Sequence, residues 1–205
     1  MRKHILLILT ISLISCKEQK KQSNLNAETK DPIEFIQENE KKSMEKQYVN
    51  LGDLIYTIEF NIKTENKKDY TDGFIPWASL ENPKQDIPNL VEKEKIVIKQ
   101  SLIKIIIDYP LTNQYEFTLT SNEGFSREQL LLEISNHYYK VFEEEENTAT
   151  IKTTPIDKRT TMYNRNQTNG KYGIWGHDIA DLVLSSINVY KTKNGEIILT
   201  LDIES

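Results

Sequence analysis

Phe125-Ser126-Arg127-Glu128-Gln129-Leu130-Leu131-Leu132-Glu133-Ile134-Ser135-Asn136-His137-Tyr138-Tyr139-Lys140-Val141-Phe142 is the clearest helical stretch of the chain. Leu130, Ile134, Tyr138 and Val141 recur at helical spacing, with Leu131 and Phe142 beside them, and build one apolar stripe. Ser126 with Gln129 three residues later has the spacing of a capping box. Phe125 before the cap and Leu130 after it match a hydrophobic staple. The helix is expected to run to about Glu145. The strand signals lie on both sides of it, so a single strong helix is set among strands.

Upstream, Leu54, Tyr56, Ile58, Phe60 and Ile62 alternate with Ile55, Thr57, Glu59, Asn61 and Lys63, the pattern of a half-buried strand. Ile96 and Ile98 begin a second apolar run. Leu102 to Tyr109 is denser in β-branched residues, and Pro110 ends it. These read as one bent strand or as two. Tyr115, Phe117 and Leu119 alternate again. Downstream, Leu182 to Tyr190 is a strand candidate, Asn194-Gly195 marks a tight hairpin turn, and Ile197, Leu199, Leu201 and Ile203 alternate in the closing strand. The pattern predicts a single α+β domain with a mainly antiparallel sheet, one long amphipathic helix and a C-terminal β-hairpin. Residues 64–92 form a long connection whose Phe74, Ile75, Trp77 and Leu80 are expected to pin it to the sheet. Residues 147–170 are polar and read as a mobile loop.

The N-terminus has a different character. A basic tip, Met1-Arg2-Lys3-His4, precedes the apolar run Ile5 to Leu13, and Leu13-Ile14-Ser15-Cys16 follows. The run is shorter than the roughly 20 apolar residues that span a bilayer, and it has the parts of a secretory signal. Leu13-Ile14-Ser15-Cys16 resembles the lipobox of bacterial lipoproteins. The resemblance implies removal of residues 1–15, a diacylglyceryl group on the Cys16 thiol and acylation, such as palmitate, of the new amino terminus. Each buried methylene contributes about 0.8 kcal/mol to such an anchor, and stable anchoring takes more than one chain. Residue 17 is Lys rather than Asp, which by the same resemblance argues against inner-membrane retention and for the outer membrane. Residues 16–47 are rich in Lys, Glu, Gln and Asn and read as a polar tether. Asp31 and Pro32 are placed to open a helix over 32–46 within it. The globular domain is expected over 48–205.

The formal charge is −5. Loss of Arg2 and Lys3 with the leader makes it −7. That balance argues against nucleic acid as a main ligand, since phosphate binding needs clustered Lys and Arg. Cys16 is the only cysteine, so no disulfide, thiolate nucleophile or cysteine zinc site is expected. The two histidines beyond the leader, His137 and His177, exclude a multi-histidine metal site. Neither a metal nor a cofactor is expected. No phosphate loop, dinucleotide fingerprint, HExxH or nucleophile elbow occurs.

The densest cluster of special residues is Tyr172-Gly173-Ile174-Trp175-Gly176-His177-Asp178, followed by Asp181. His177 beside Asp178 or Asp181 is the composition of an acid–base pair. The same residues also read as structure: Asp178 capping a turn at 179–182, Trp175 as a core anchor, and the glycines shaping a bend. Trp77 and Trp175 are the candidate binding aromatics. His137 beside the apolar helix face reads as a packed boundary residue. Glu143 to Glu146 is an acidic run at the helix end the dipole disfavours, and reads as a solvated, frayed terminus rather than a calcium or basic-partner site. Gly124-Phe125-Ser126-Arg127 together with Tyr172 to Asp178 is similar to a group of uncharacterised proteins over about residues 122–205, a resemblance that carries no activity.

The expected function is a membrane-anchored envelope lipoprotein. Its partners are membrane lipid through acylated Cys16 and an envelope protein bound by the domain, as an interaction or protective module. Its binding surface is expected on the 64–92 loop or the 147–176 loop. The alternative is an envelope hydrolase using His177 with Asp178 or Asp181.

Overall fold

Strand pairing in the computed structural model builds on the alternating runs, and the residues described are 32–45, 48–49, 51–159 and 165–205. The leader, Cys16 and most of the tether lie outside the described residues. In chain order the elements are α1 (Pro32–Met44), β1 (Asp53–Glu59), β2 (Ile62–Lys63), β3 (Phe74–Ile75), β4 (Ala78–Ser79), α2 (Pro83–Asp86), β5 (Ile96–Ile98), β6 (Leu102–Ile107), β7 (Tyr115–Thr120), β8 (Phe125–Ser126), α3 (Arg127–Thr148), β9 (Val183–Lys191) and β10 (Ile197–Glu204). The main sheet has six strands in the order β1-β9-β10-β6-β7, with β4 also paired to β9. Every pair is antiparallel except β10 with β6. The architecture is α+β in one domain, with the long helix and the C-terminal hairpin.

α3 packs on one face of the sheet. Its Leu130, Leu131, Ile134, Tyr138 and Val141 are buried in the main core with Ile103, Ile105 and Ile107 of β6 and Leu199 and Leu201 of β10. The Ser126 side chain accepts a hydrogen bond from the Gln129 amide at 3.2 Å, which caps the helix as the sequence predicts. The opposite face is thinly covered. There Ile106 and Ile198 form a small second cluster with Leu51, and Tyr48 and Tyr190 pack against it.

Several expectations shift. The apolar run over 96–109 divides into two strands, β5 pairing with β8 and β6 joining the main sheet. In β1 only Ile58 is buried, while Leu54, Ile55 and Tyr56 are exposed, because β1 is an edge strand whose register slips between Leu54 and Tyr56. In β10, Ile198 and Thr200 are buried as well as Ile197, Leu199 and Leu201 of the alternating set, because this strand is central, while Ile203 near its end is half-buried. The hairpin turn is a three-residue loop, Lys193-Asn194-Gly195. Thr192 N–H bonds Glu196 C=O at 3.0 Å, and Gly195 takes φ +86°.

The packed body begins earlier than Tyr48. Residues Asp31–Ser205 form one compact unit. α1 places Phe35 against the core and Ile36 over Gly176. It is therefore part of the domain and not of a tether. The 64–92 connection is pinned by the β2–β3 pair, by β4 on β9 and by buried Leu80.

Candidate functional site

The 172–181 cluster is assembled by a carboxylate from the helix. Glu145 is fully buried. It accepts hydrogen bonds from the backbone amides of Gly170 at 2.8 Å, Tyr172 at 2.7 Å and Gly173 at 3.1 Å. Burial alone would raise its carboxyl, but the Thr168 hydroxyl and these amides hold it below the ordinary value. Glu143 and Glu146 of the acidic run are solvated as expected, but the helix continues past them to Thr148 and Glu145 is not part of a frayed end. That residue is the hub of the following loop. A Cβ on Gly170 would lie 2.7 Å from Glu145 Oε2, so the close approach requires glycine there.

The described parts of 147–170 are likewise tied down. Asn169 Oδ1 accepts from the Thr150 and Ile151 amides at 3.0 and 2.7 Å, and Asn166 Oδ1 from the Thr154 amide at 2.7 Å. Residues 160–164 lie outside the described residues.

His177 and Asp178 go separate ways. Both oxygens of Asp178 are taken by arginines: Arg159 bridges the carboxylate, and Arg165 Nη1 donates to Oδ1 at 3.0 Å. Burial opposes the charge of Asp178, but the two guanidinium groups hold its carboxyl below the usual range. Asp181 accepts from the Asp178 amide at 2.9 Å and closes the turn Ile179–Asp181. The partner of His177 is Glu40 of α1, whose Oε1 lies 2.8 Å from Nε2. The expected pairing of His177 with Asp178 or Asp181 does not form, because arginines and a turn amide engage those carboxylates.

Glu40 also accepts from the Tyr109 hydroxyl at 2.7 Å, and that hydroxyl lies 2.8 Å from Ser205 Oγ. Burial raises the Glu40 carboxyl, and the bonds from His177 and Tyr109 outweigh it and bring it below the ordinary value. Trp175 is 3% exposed and meets the Tyr109 ring edge-on at 5.3 Å. It is an anchor beneath this cluster and presents no ligand surface. Trp77 is half-buried and edge-on to Tyr70 at 6.2 Å. His137 stacks on Phe117 at 3.5 Å, with Nδ1 2.8 Å from the Tyr115 hydroxyl.

α1 also roofs a cavity of about 430 Å³ on the thinly covered sheet face. Glu40 from α1, Asp108 after β6 and Asp202 of β10 bring carboxylates to it, and Tyr48, Tyr109 and Tyr190 bring rings. The Tyr48 hydroxyl donates to Asp108. Asp202 accepts from Asn188 Nδ2 at 2.9 Å and from the Ser186 hydroxyl. Sequence reading missed this site. Its one available signal was an aspartate inside each of two apolar runs, Ile107-Asp108-Tyr109 and Leu201-Asp202-Ile203. No group of His, Cys, Asp or Glu among the described residues is placed to hold a metal ion.

The fold and the cavity define an α+β domain whose sheet is helix-covered on one face and offers a concave acidic site on the other. Comparison with family models, curated proteins and solved structures yields no match.

Proposed function

We propose that this protein is a lipid-anchored binding module of the bacterial cell envelope, held in the outer membrane through acylated Cys16. The observation that carries the reading is Leu13-Ile14-Ser15-Cys16 behind a basic tip and a short apolar run. It is supported by the abrupt change to a charged stretch after Cys16. No described helix is long and apolar enough to cross a membrane. The concave acidic site supports binding as the task of the domain. The hydrolase reading loses the His177–Asp pairing on which it was built.

Cys16→Ala tests the anchor. The variant is expected to accumulate as an unprocessed precursor that incorporates no radiolabelled palmitate and leaves the outer-membrane fraction. Normal labelling of this variant would overturn the assignment.

A further inference from the structure

The two edge strands of the main sheet differ. β7 exposes Glu116, Thr118 and Thr120. β1 exposes three consecutive large apolar side chains, Leu54 at 55%, Ile55 at 47% and Tyr56 at 40%. Edge strands are commonly protected by lysine, proline or a bulge. Asp53–Glu59 contains neither lysine nor proline, and its bulge lies at the start, between Leu54 and Tyr56. We propose that β1 is an interface between two copies of this chain, which pair antiparallel about Thr57 so that their sheets join. The proposal goes beyond the lipid-anchored reading and does not depend on it.

The free backbone groups fit a strand. Phe60 N–H donates to Ser185 C=O at 3.0 Å. Hydrogen-bonded pairs alternate along an antiparallel ladder, so Phe60, Ile58 and Tyr56 turn their peptide groups towards β9 and Thr57 and Glu59 turn theirs outward. Glu59 has the same phase, because its carbonyl accepts from Arg127 Nε at 2.9 Å. The Thr57 N–H and C=O have no hydrogen-bond partner among the described residues. Its side chain is exposed and donates to Asn188 Oδ1 at 2.8 Å, which leaves the outward backbone clear. A second copy satisfies both groups by a two-fold exchange between Thr57 and the partner's Thr57. Charge selects this register. A copy slid by two residues towards the start of β1 would set Asp53 opposite Glu59, two like charges. A copy slid the other way would centre on the Glu59 carbonyl, which Arg127 already engages. Centred on Thr57, Glu59 lies opposite the partner's Ile55 and no two carboxylates face each other. Tyr56 then lies opposite the partner's Ile58, an aromatic against a β-branched residue, and two threonines meet at the axis. The Tyr56 hydroxyl donates to Val97 C=O at 3.0 Å and holds that ring along the edge.

Sedimentation equilibrium of the full-length protein in density-matched detergent tests the proposal. A monomer–dimer equilibrium is expected. Thr57→Lys sets two lysines face to face and should weaken association by about tenfold or more. Thr57→Glu should do the same. An equimolar mixture of the two variants should regain association, because a lysine then faces a glutamate. Pairing of Thr57 with itself requires that recovery. Thr118→Lys, on the exposed face of β7, should leave association unchanged. Circular dichroism checks that each variant folds. If Thr57→Lys does not, oxidation of Thr57→Cys replaces it. That variant should give a disulfide-linked dimer, and Thr118→Cys, with the same Cys16, should not. A monomer at every concentration would overturn the proposal. So would a dimer that both Thr57 variants leave intact, or equal cross-linking of Thr57→Cys and Thr118→Cys. Selective cross-linking of Thr57→Cys to a different envelope protein in whole cells, by a chain that is monomeric alone, would also overturn it and give the edge to another protein's strand.

Discussion

Glu145 stands at the helix end where the macrodipole disfavours an anion, and it is buried. Both penalties are offset by the amides that converge on it from residues 170–173. Its carboxyl is held below the ordinary glutamate value of 4.5. A depressed folded value means that the ionised group contributes stability above the unfolded value, and that this contribution is lost as pH falls through the folded one. Glu145→Gln should therefore lower stability by about 2–3 kcal/mol at neutral pH. The gap to the native chain should narrow as pH drops below 4.5, as read by urea denaturation at several pH values. A gap that does not change with pH would show that the charge is not what the loop amides recognise. In sequence, Glu145 looks like its three neighbours. Only the loop that folds back on it sets it apart.

α1 carries the second lesson at the scale of an element. Composition marks residues 16–47 as polar, and the helix is legible from Asp31 and Pro32 alone. Its docking is not, because the partners of Glu40 lie at Tyr109 and His177, the latter 137 residues away. Glu40→Gln removes the charge that both partners address. It should speed amide exchange in α1 at least several-fold, since local opening is set by few contacts, and leave exchange in α3 unchanged. Unaltered exchange in α1 would mean that Phe35 and Ile36 hold the helix without the polar clasp. β1 and β10 make the complementary point. Both alternate in sequence, yet one is an exposed edge and the other a buried centre. Strand order decides which of them is covered on both faces.

For the whole molecule, the consequence is where the domain begins. A chain comprising residues 31–205 should unfold in one cooperative transition. A chain of residues 48–205 should melt several degrees lower, because α1 packs Phe35 against the core and lines one side of the cavity. Equal melting temperatures would return α1 to the tether. The cavity itself is a product of this scale, since its lining comes from α1, the segment after β6, β9 and β10.

The sequence by itself determined the fold class, the extent and cap of α3, the strand-forming runs and the closing hairpin, together with the lipobox on which the anchor is proposed. Those features rest on interactions within a few residues: side-chain period, a hydroxyl reaching an amide three residues on, a glycine able to take positive φ. Only the tertiary structure decided that His177 belongs to Glu40, that Asp178 belongs to Arg159 and Arg165, that Glu145 is a hub and that an acidic cavity lies beneath α1. Each of these pairs a charge with groups distant in the chain. A local pattern states how a residue sits on its own element but not what it faces, and the partner determines what a buried charge does.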